Sequence, residues 1–334
     1  MMKIPYFRFS TAGKELEYLN DVLESGWLTS SSKSAALEDS FVSYSGAKYA
    51  LSVNSCTSGL HLALESLGIS KGSKVLVPSW TFTASAEVIE YLGAEPVFCD
   101  VNYGTSSLDS EILCQAIEKN PQLNALVLVH FGGQLATIST RENNGILDIC
   151  KAHNIKVVHD AAHAFPASFN NEKVGSFRDI TCFSFYANKT ITSGEGGMVL
   201  TNDESLYKRM KLMRLHGIDR DVWERFTSKN NQNDYDIVEA GFKYNLSDIN
   251  AAVALAQFEK AEELKKKRQK IAKIYTSEFN SIDCLDLPKL TVNFNEHSWH
   301  LFNPVLNENS PLERDKLISL LNEKGIGTSI HYKP

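Results

Sequence analysis

Between residues 75 and 159 of the 334-residue chain, short β-branched and aliphatic runs alternate with segments of helical spacing, and this alternation restricts the fold more than any other feature. The predicted strands are 75–77, 97–100, 125–130 and 155–159, with predicted helices at 84–92, 109–118 and 141–153 between them. Apolar strands spaced by helices predict a mainly parallel sheet covered on both faces. Ligands of such sheets sit beyond the carboxyl ends of the strands. Three groups fall at such ends: Pro78-Ser-Trp80-Thr-Phe82, His159-Asp160-Ala-Ala-His163, and the run from Ser184 through Lys189.

The flanking segments extend the pattern. Residues 14–25 place Leu16, Leu19, Val22 and Leu23 on one helical face before Gly26, and a second helix is predicted over 34–45. A strand at 49–53 leads into Asn54-Ser-Cys-Thr57-Ser58-Gly59, which opens a helix over 60–67. Residues 180–185 and 198–201 read as strands, 204–215 as a helix, and the polar stretch 219–236 as a surface loop. A long helical run follows over 248–279, with Ser247 or Asp248 as N-cap. Beyond Pro288 the pattern becomes strand (299–302), helix (312–324, ended by Gly325) and strand (327–332). The expectation is an α/β large domain over 1–245 and a smaller α+β domain over 246–334 that reads as incomplete at Pro334.

A hydrophobic fraction of 43% is ordinary for a packed globular protein. The net charge of −6, with no basic stripe interleaved with aromatics, argues against a nucleic-acid partner. Six cysteines without a C-x-x-C pair point to a reducing cytoplasm. No run has the length of a signal peptide core or a membrane span, so a soluble cytoplasmic protein is expected.

One lysine, Lys189, lies among small polar residues between two strand-like runs, where Gly194, Gly196 and Gly197 permit a turn and a close approach to the backbone. A solvated lysine is the ordinary reading. In a partly dry pocket its amine would lose its proton more easily and could condense with an aldehyde. Asp160 after its strand either caps the following helix or meets a ligand cation. Thr57 and Ser58 at a helix start either cap it or help hold a phosphate. Trp80 and Phe82, two apart in extended chain, are core residues unless a flat ring stacks on one of them. His159 and His163 lie four apart, but no third ligand is evident and aspartate replaces the glutamate of H-E-x-x-H, so no metal site is expected. An aldehyde, a ring-nitrogen cation, a phosphate and an aromatic plane are together the handles of pyridoxal 5'-phosphate.

From about residue 4 onward the chain resembles the DegT/DnrJ/EryC1/StrS family of sugar aminotransferases, within the aspartate-aminotransferase fold class (fold type I). The matching runs include Ser25-Gly-Trp-Leu-Thr29, Ser55-Cys-Thr-Ser-Gly-Leu-His-Leu-Ala-Leu64, Val77-Pro-Ser-Trp-Thr-Phe82, Asp160-Ala-Ala-His163, Phe183 through Lys189 to Gly197, Gly241-Phe-Lys-Tyr-Asn-Leu-Ser247 and Gly325-Ile-Gly-Thr-Ser-Ile-His-Tyr332. The resemblance implies that Lys189 forms the Schiff base, that Asp160 partners the pyridinium and that His163 neighbours the cofactor ring. It also implies that Phe82 rather than Trp80 stacks on the ring, and that Thr57, Ser58 and Ser184 contact the phosphate. Lys243 matches a position that reaches the phosphate from the other subunit, so a homodimer with shared active sites is implied; His331 falls near the substrate. Departures are Cys56 where glycine is usual, Tyr186 where histidine is frequent, Lys243 where asparagine is common, and the lack of a further C-terminal segment.

The implied reaction moves an amino group from glutamate to a nucleotide-linked keto-sugar, giving an amino-sugar nucleotide for surface polysaccharide, lipopolysaccharide or antibiotic sugar synthesis. The alternatives are an amino-cyclitol aminotransferase and a non-catalytic regulatory or binding protein of the same fold. Some relatives with histidine at the lysine position act as dehydratases, and Lys189 argues against that chemistry.

Overall fold

The computed structural model of the chain describes residues 3–138, 144–177, 179–219 and 235–333. Helices α1 (Glu15–Ser25) and α2 (Ser32–Ser45) precede β1 (Tyr49–Val53), and α3 (Cys56–Ser66) follows it. The alternation then runs β2 (Lys74–Pro78), α4 (Ala84–Tyr91), β3 (Glu95–Cys99), α5 (Ser110–Lys119), β4 (Ala125–Val129), α6 (Ile146–Ala152) and β5 (Lys156–Asp160). The two-residue strands β6 (Ser168–Phe169) and β7 (Glu172–Lys173) form a small hairpin before β8 (Ile180–Ser184), β9 (Gly197–Thr201) and α7 (Glu204–Arg214). Then come α8 (Asp248–Phe258), α9 (Ala261–Phe279), β10 (Leu285–Asp286), β11 (Val305–Leu306) and α10 (Arg314–Glu323).

Seven strands form one sheet in the order β1-β9-β8-β5-β4-β2-β3, in which only β9 runs against the others. Side chains alternate faces along a strand. Val75 and Val77 of β2 and Ala125 and Val127 of β4 accordingly join a core beneath α3 that also takes Leu60 and Leu64. Leu76, Leu126 and Leu128 join a second core on the opposite face with Leu37 and Phe41 of α2. Each such aliphatic or aromatic side chain, fully withdrawn from water, contributes about 1.5–3 kcal/mol before the entropy of ordering it is subtracted. The mainly parallel sheet expected from the alternation is therefore present.

Two expectations for the C-terminal part are corrected. Residues 299–302 are not a strand: Ser298 N–H donates to the Gly133 carbonyl (2.8 Å) and Leu301 N–H to that of Gly132 (2.9 Å), so this segment bonds to the turn that follows β4. Gly133 permits the contact, because at φ +114° a β-carbon there would lie 2.2 Å from Ser298 Oγ. Residues 327–332 also form no strand; Gly327 N–H bonds Ile4 O (2.8 Å) and Ile4 N–H bonds Gly325 O (2.8 Å), and the pairing ends there. The helical run 248–279 is two helices, broken at Glu259-Lys260, where Lys260 Nζ leaves the axis to meet the Ser10 carbonyl at 2.8 Å and the Glu15 carboxylate. Most of the polar stretch 219–236 lies outside the described residues.

Candidate active site

The carboxyl ends of β4, β5 and β8 and the start of α3 open on a cavity of about 500 Å³, a size suited to a small ligand. Asp160, the last residue of β5, is buried at its floor. Its Oδ2 accepts from Ser85 Oγ (2.7 Å), its Oδ1 from Ala162 N–H (3.1 Å), and the Cys56 thiol lies 4.0 Å away. The short-range cap reading is thus half right, since Ala162 N–H is satisfied, but no Lys, Arg or His ion-pairs with Asp160 among the described residues. Burial pushes its carboxyl up, against the lowering by those bonds and by the Lys189 charge.

Lys189 sits in the connection between β8 and β9. Its N–H donates to Tyr186 O (2.9 Å), and the base of the connection is tied by Phe185 N–H to Gly196 O (2.8 Å) and Ser193 N–H to Phe185 O (3.0 Å). Asn250 Nδ2 of α8 adds a bond to the Ser193 carbonyl at 2.9 Å. The amine lines the cavity with Asp160. Burial lowers its pKa from 10.5 to about 8, and the Asp160 and Cys56 charges oppose only part of that.

At the start of α3, Ser55 is the N-cap and its Oγ accepts from Ser58 N–H (3.1 Å). Ser55, Cys56 and Thr57 face the cavity, where free N–H groups and the helix dipole favour an anion. Ser58 does not line it; its hydroxyl bonds Asn54 Oδ1. Ser184 does line it, with Oγ accepting from Tyr186 N–H at 3.2 Å.

Phe82 lines the cavity and is 56% exposed, so its ring is not spent on the core; Trp80 packs instead against Phe131, ring centroids 6.2 Å apart. His163 and His331 also line the cavity. Gly132 N–H points at His163 Nδ1 (3.3 Å), which puts the ring proton on Nε2, where it is donated to Tyr332 Oη (2.7 Å). Burial, then the Lys189 and His331 charges, keep His163 neutral. Lys243 is not among the lining residues of its own chain's cavity; its Nζ donates to Asn245 Oδ1.

Several lining or supporting residues carried no local sequence signal of the partner they meet. Ser85 reaches Asp160 only because α4 packs across the sheet edge, and Tyr332 reaches His163 across 169 residues of chain. His130, at the end of β4, lines the cavity and donates from Nε2 to His159 Nδ1 (2.9 Å), its own Nδ1 accepting from Ala136 N–H (3.2 Å). Ser55 could have been found, as a serine before a helical run is a capping signal. The group suited to this cavity carries an aldehyde for Lys189, a cation for the buried Asp160 and an anion for the α3 terminus. Among the described residues no cluster could hold a metal ion.

A model of the DegT/DnrJ/EryC1/StrS aminotransferase family matches residues 10–334. The chain is 36% identical over 333 residues to the spore coat polysaccharide biosynthesis protein SpsC of Bacillus subtilis, an alignment that covers 99% of this chain and 83% of SpsC. The putative sugar aminotransferase Spr1654 from Streptococcus pneumoniae, in its PMP-form, superposes with a TM-score of 0.84 at 30% identity over 100% of this chain and 85% of that one. Helicobacter pylori PseC, an aminotransferase involved in the biosynthesis of pseudoaminic acid, superposes with a TM-score of 0.86 at 28% identity over 100% and 85%. The architecture is that of fold type I, with a mainly parallel central sheet.

Proposed function

Because the chain belongs to the DegT/DnrJ/EryC1/StrS aminotransferase family, we propose that it moves an amino group from glutamate to a keto-sugar carried on a nucleotide, using pyridoxal 5'-phosphate. The observation that carries this reading is the pairing, in one cavity, of a buried carboxylate without a cation and a lysine with pKa near 8. The residues present fit the cofactor: Asp160 for the ring nitrogen, Phe82 and His163 for the ring, Thr57, Ser58 and Ser184 for the phosphate, and Lys189 for the aldehyde. Of the phosphate group, Thr57 and Ser184 face the cavity directly, while Ser58 acts by ordering the turn through Ser55 and Asn54. Spr1654, a structural neighbour, is known in both PLP-form and PMP-form, which supports the same cofactor here.

Bound there, the cofactor supplies an electron-withdrawing ring that acidifies the carbon bearing the amino group. Lys189 Nζ anchors the aldehyde while neutral and, once displaced, takes a proton from the donor carbon and returns one to the sugar carbon. Asp160 would hold the ring nitrogen in its protonated form, and that charge would in turn offset the buried carboxylate. His163, held neutral with its proton on Nε2, adds no positive charge beside Lys189. Lys243 is assigned to the phosphate of the neighbouring subunit in a homodimer, consistent with its placement away from its own cavity. His331 is assigned to the substrate side, where it shares the wall with Tyr332.

The test is spectroscopic. Glutamate should bleach the yellow cofactor-loaded protein, and a nucleotide-linked keto-sugar should restore the colour. A protein that stays yellow with glutamate and every other common amino acid would be a binding protein and not this enzyme.

A further inference from the structure

A serine or threonine where a helix begins ordinarily caps it. The chain enters α4 through Thr81-Phe-Thr83-Ala-Ser85, yet the helix has no side-chain cap. The hydroxyls are turned elsewhere. Thr83 Oγ1 donates to Glu87 (2.9 Å) on the surface, whereas Ser85, fully buried, donates from Oγ to Asp160 Oδ2 at 2.7 Å. Thr81 Oγ1 lies 2.7 Å from Ser85 Oγ, is buried as well, and lines the cavity. Two hydroxyls therefore run in series from the cavity wall to the carboxylate at its floor.

The carboxylate sets the direction of the protons. An ionised carboxylate only accepts, so Ser85 gives it its one proton and must in turn accept from Thr81. Both O–H dipoles then point at Oδ2, and each bond strengthens the next. On Oδ1 the donors are Ala162 N–H (3.1 Å) and the Cys56 thiol (4.0 Å). Donors from α4, from the segment after β5 and from the start of α3 thus hold one carboxylate in place, and all of them favour its charged form. Against the burial that raises the Asp160 carboxyl, the bond from Ser85 is the largest opposing influence, ahead of Ala162 N–H and Lys189. The titratable groups that face Asp160 are Lys189 from the β8–β9 connection, Cys56 of α3, Cys182 of β8 and Tyr332. Burial pushes both thiols and the phenol up, so these three are neutral at pH 7.

We propose that Thr81 and Ser85 are positioning residues, a two-hydroxyl relay that holds the Asp160 carboxylate ionised and fixed in orientation for the ring nitrogen of the cofactor. The inference rests on the pyridoxal phosphate reading and deepens it, because it names what keeps a buried carboxylate ready for a cation before the cation arrives. Neither hydroxyl is assigned a step of the reaction. They act through Asp160.

The experiment uses the cofactor-free full chain as wild type, Ser85→Ala, Thr81→Val and Thr81→Ser. One readout is the pH at which the infrared band of the protonated Asp160 carboxyl disappears, the band being assigned by its absence in Asp160→Asn. The other is the affinity, by calorimetry, for two ligands that make no bond to Lys189. These are 4'-deoxypyridoxine 5'-phosphate, which has the ring nitrogen but no aldehyde, and benzyl phosphate, which has the ring and the phosphate but no nitrogen. In Ser85→Ala the infrared titration should move upward by about one to two pH units, and deoxypyridoxine phosphate should bind roughly ten- to a hundredfold more weakly. Benzyl phosphate should change less than about twofold, since its contacts do not involve Asp160. Thr81→Val, nearly isosteric, should move the titration upward by about 0.3–1 unit, and Thr81→Ser should restore it. An unmoved titration in Ser85→Ala would overturn the relay, as would equal weakening of both ligands. Should Ser85→Ala fail to fold, an unmoved titration in Thr81→Val has the same force. A wild type that binds the two ligands equally, while its titration still responds to Ser85→Ala, would refute the cofactor reading of Asp160 and leave the relay standing.

Discussion

Lys189 and Asp160 stress the same cavity in opposite directions, and each makes its own prediction. The lysine's folded pKa of about 8 lies below the usual 10.5, so the neutral, nucleophilic amine grows in as pH rises through about 8 and is suppressed below it. The rate at which the cofactor-free protein turns yellow on adding pyridoxal 5'-phosphate should therefore rise through that range and level off above it. Lys189→Ala should lose borohydride-stable attachment, read by peptide mass, and lower turnover by about 10²–10⁴-fold or more. Asp160 has a folded pKa raised by burial, so the folded state binds its proton more tightly than the unfolded chain does. Its ionised form hence costs stability at neutral pH, and that cost disappears on acidification. Asp160→Asn should raise the melting temperature of the cofactor-free protein at pH 7 while lowering turnover by roughly 10²-fold or more. A variant that loses both would show that the carboxylate is a structural cap first.

At the level of elements, the site depends on backbones that approach more closely than a side chain allows. Gly197 opens β9, and a β-carbon there would stand 2.7 Å from Phe183 O of β8 and 2.9 Å from Cys56 N at the start of α3. Because those neighbours are backbone atoms, Gly197→Ala must push β9 from β8 and α3 from both. A loss of about 1–3 kcal/mol in denaturant unfolding is expected, together with weaker cofactor retention as the α3 terminus moves. Asp248, the first residue of α8, is buried and caps a different helix: it accepts from Ser31 N–H (2.8 Å), Lys33 N–H (3.0 Å) and Ser34 N–H (3.0 Å) at the start of α2. Asp248→Ala strands those donors and should cost about 2–3 kcal/mol without changing the pH at which Lys189 titrates.

For the whole molecule, the assignment of Lys243 to a neighbouring subunit can be read without a structure of the assembly. Lys189→Ala and Lys243→Ala subunits, each of low activity alone, should recover turnover when unfolded together and refolded. A mixed dimer contains one site with an intact Lys189 and an intact partner Lys243. Recovery absent from refolded mixtures that contain mixed dimers would assign Lys243 to a role within its own chain. The N-terminal segment belongs to this scale as well, since Ile4 bonds Gly325 and Gly327 and Tyr6 Oη lies 3.4 Å from His331, which lines the cavity.

What could be read directly from residue order was whatever depends on near neighbours: the strand and helix periods, the glycine turn after Lys189, the carboxylate closing β5 and the capping serines of α3. Each of these is fixed by sterics and hydrogen bonds within a few residues, and the motifs keep their order along the chain. Only the folded chain decided the rest. Strand patterns at 299–302 and 327–332 gave way because their backbone groups found partners on Gly132, Gly133 and Ile4, contacts with no local signature. Ser85 and His130 joined the site in the same manner, brought by packing from positions whose own surroundings read as ordinary helix and strand. The physical reason is that periodicity reports which face of an element is buried, while the identity of what it is buried against is set by loop paths and by the closure of the sheet.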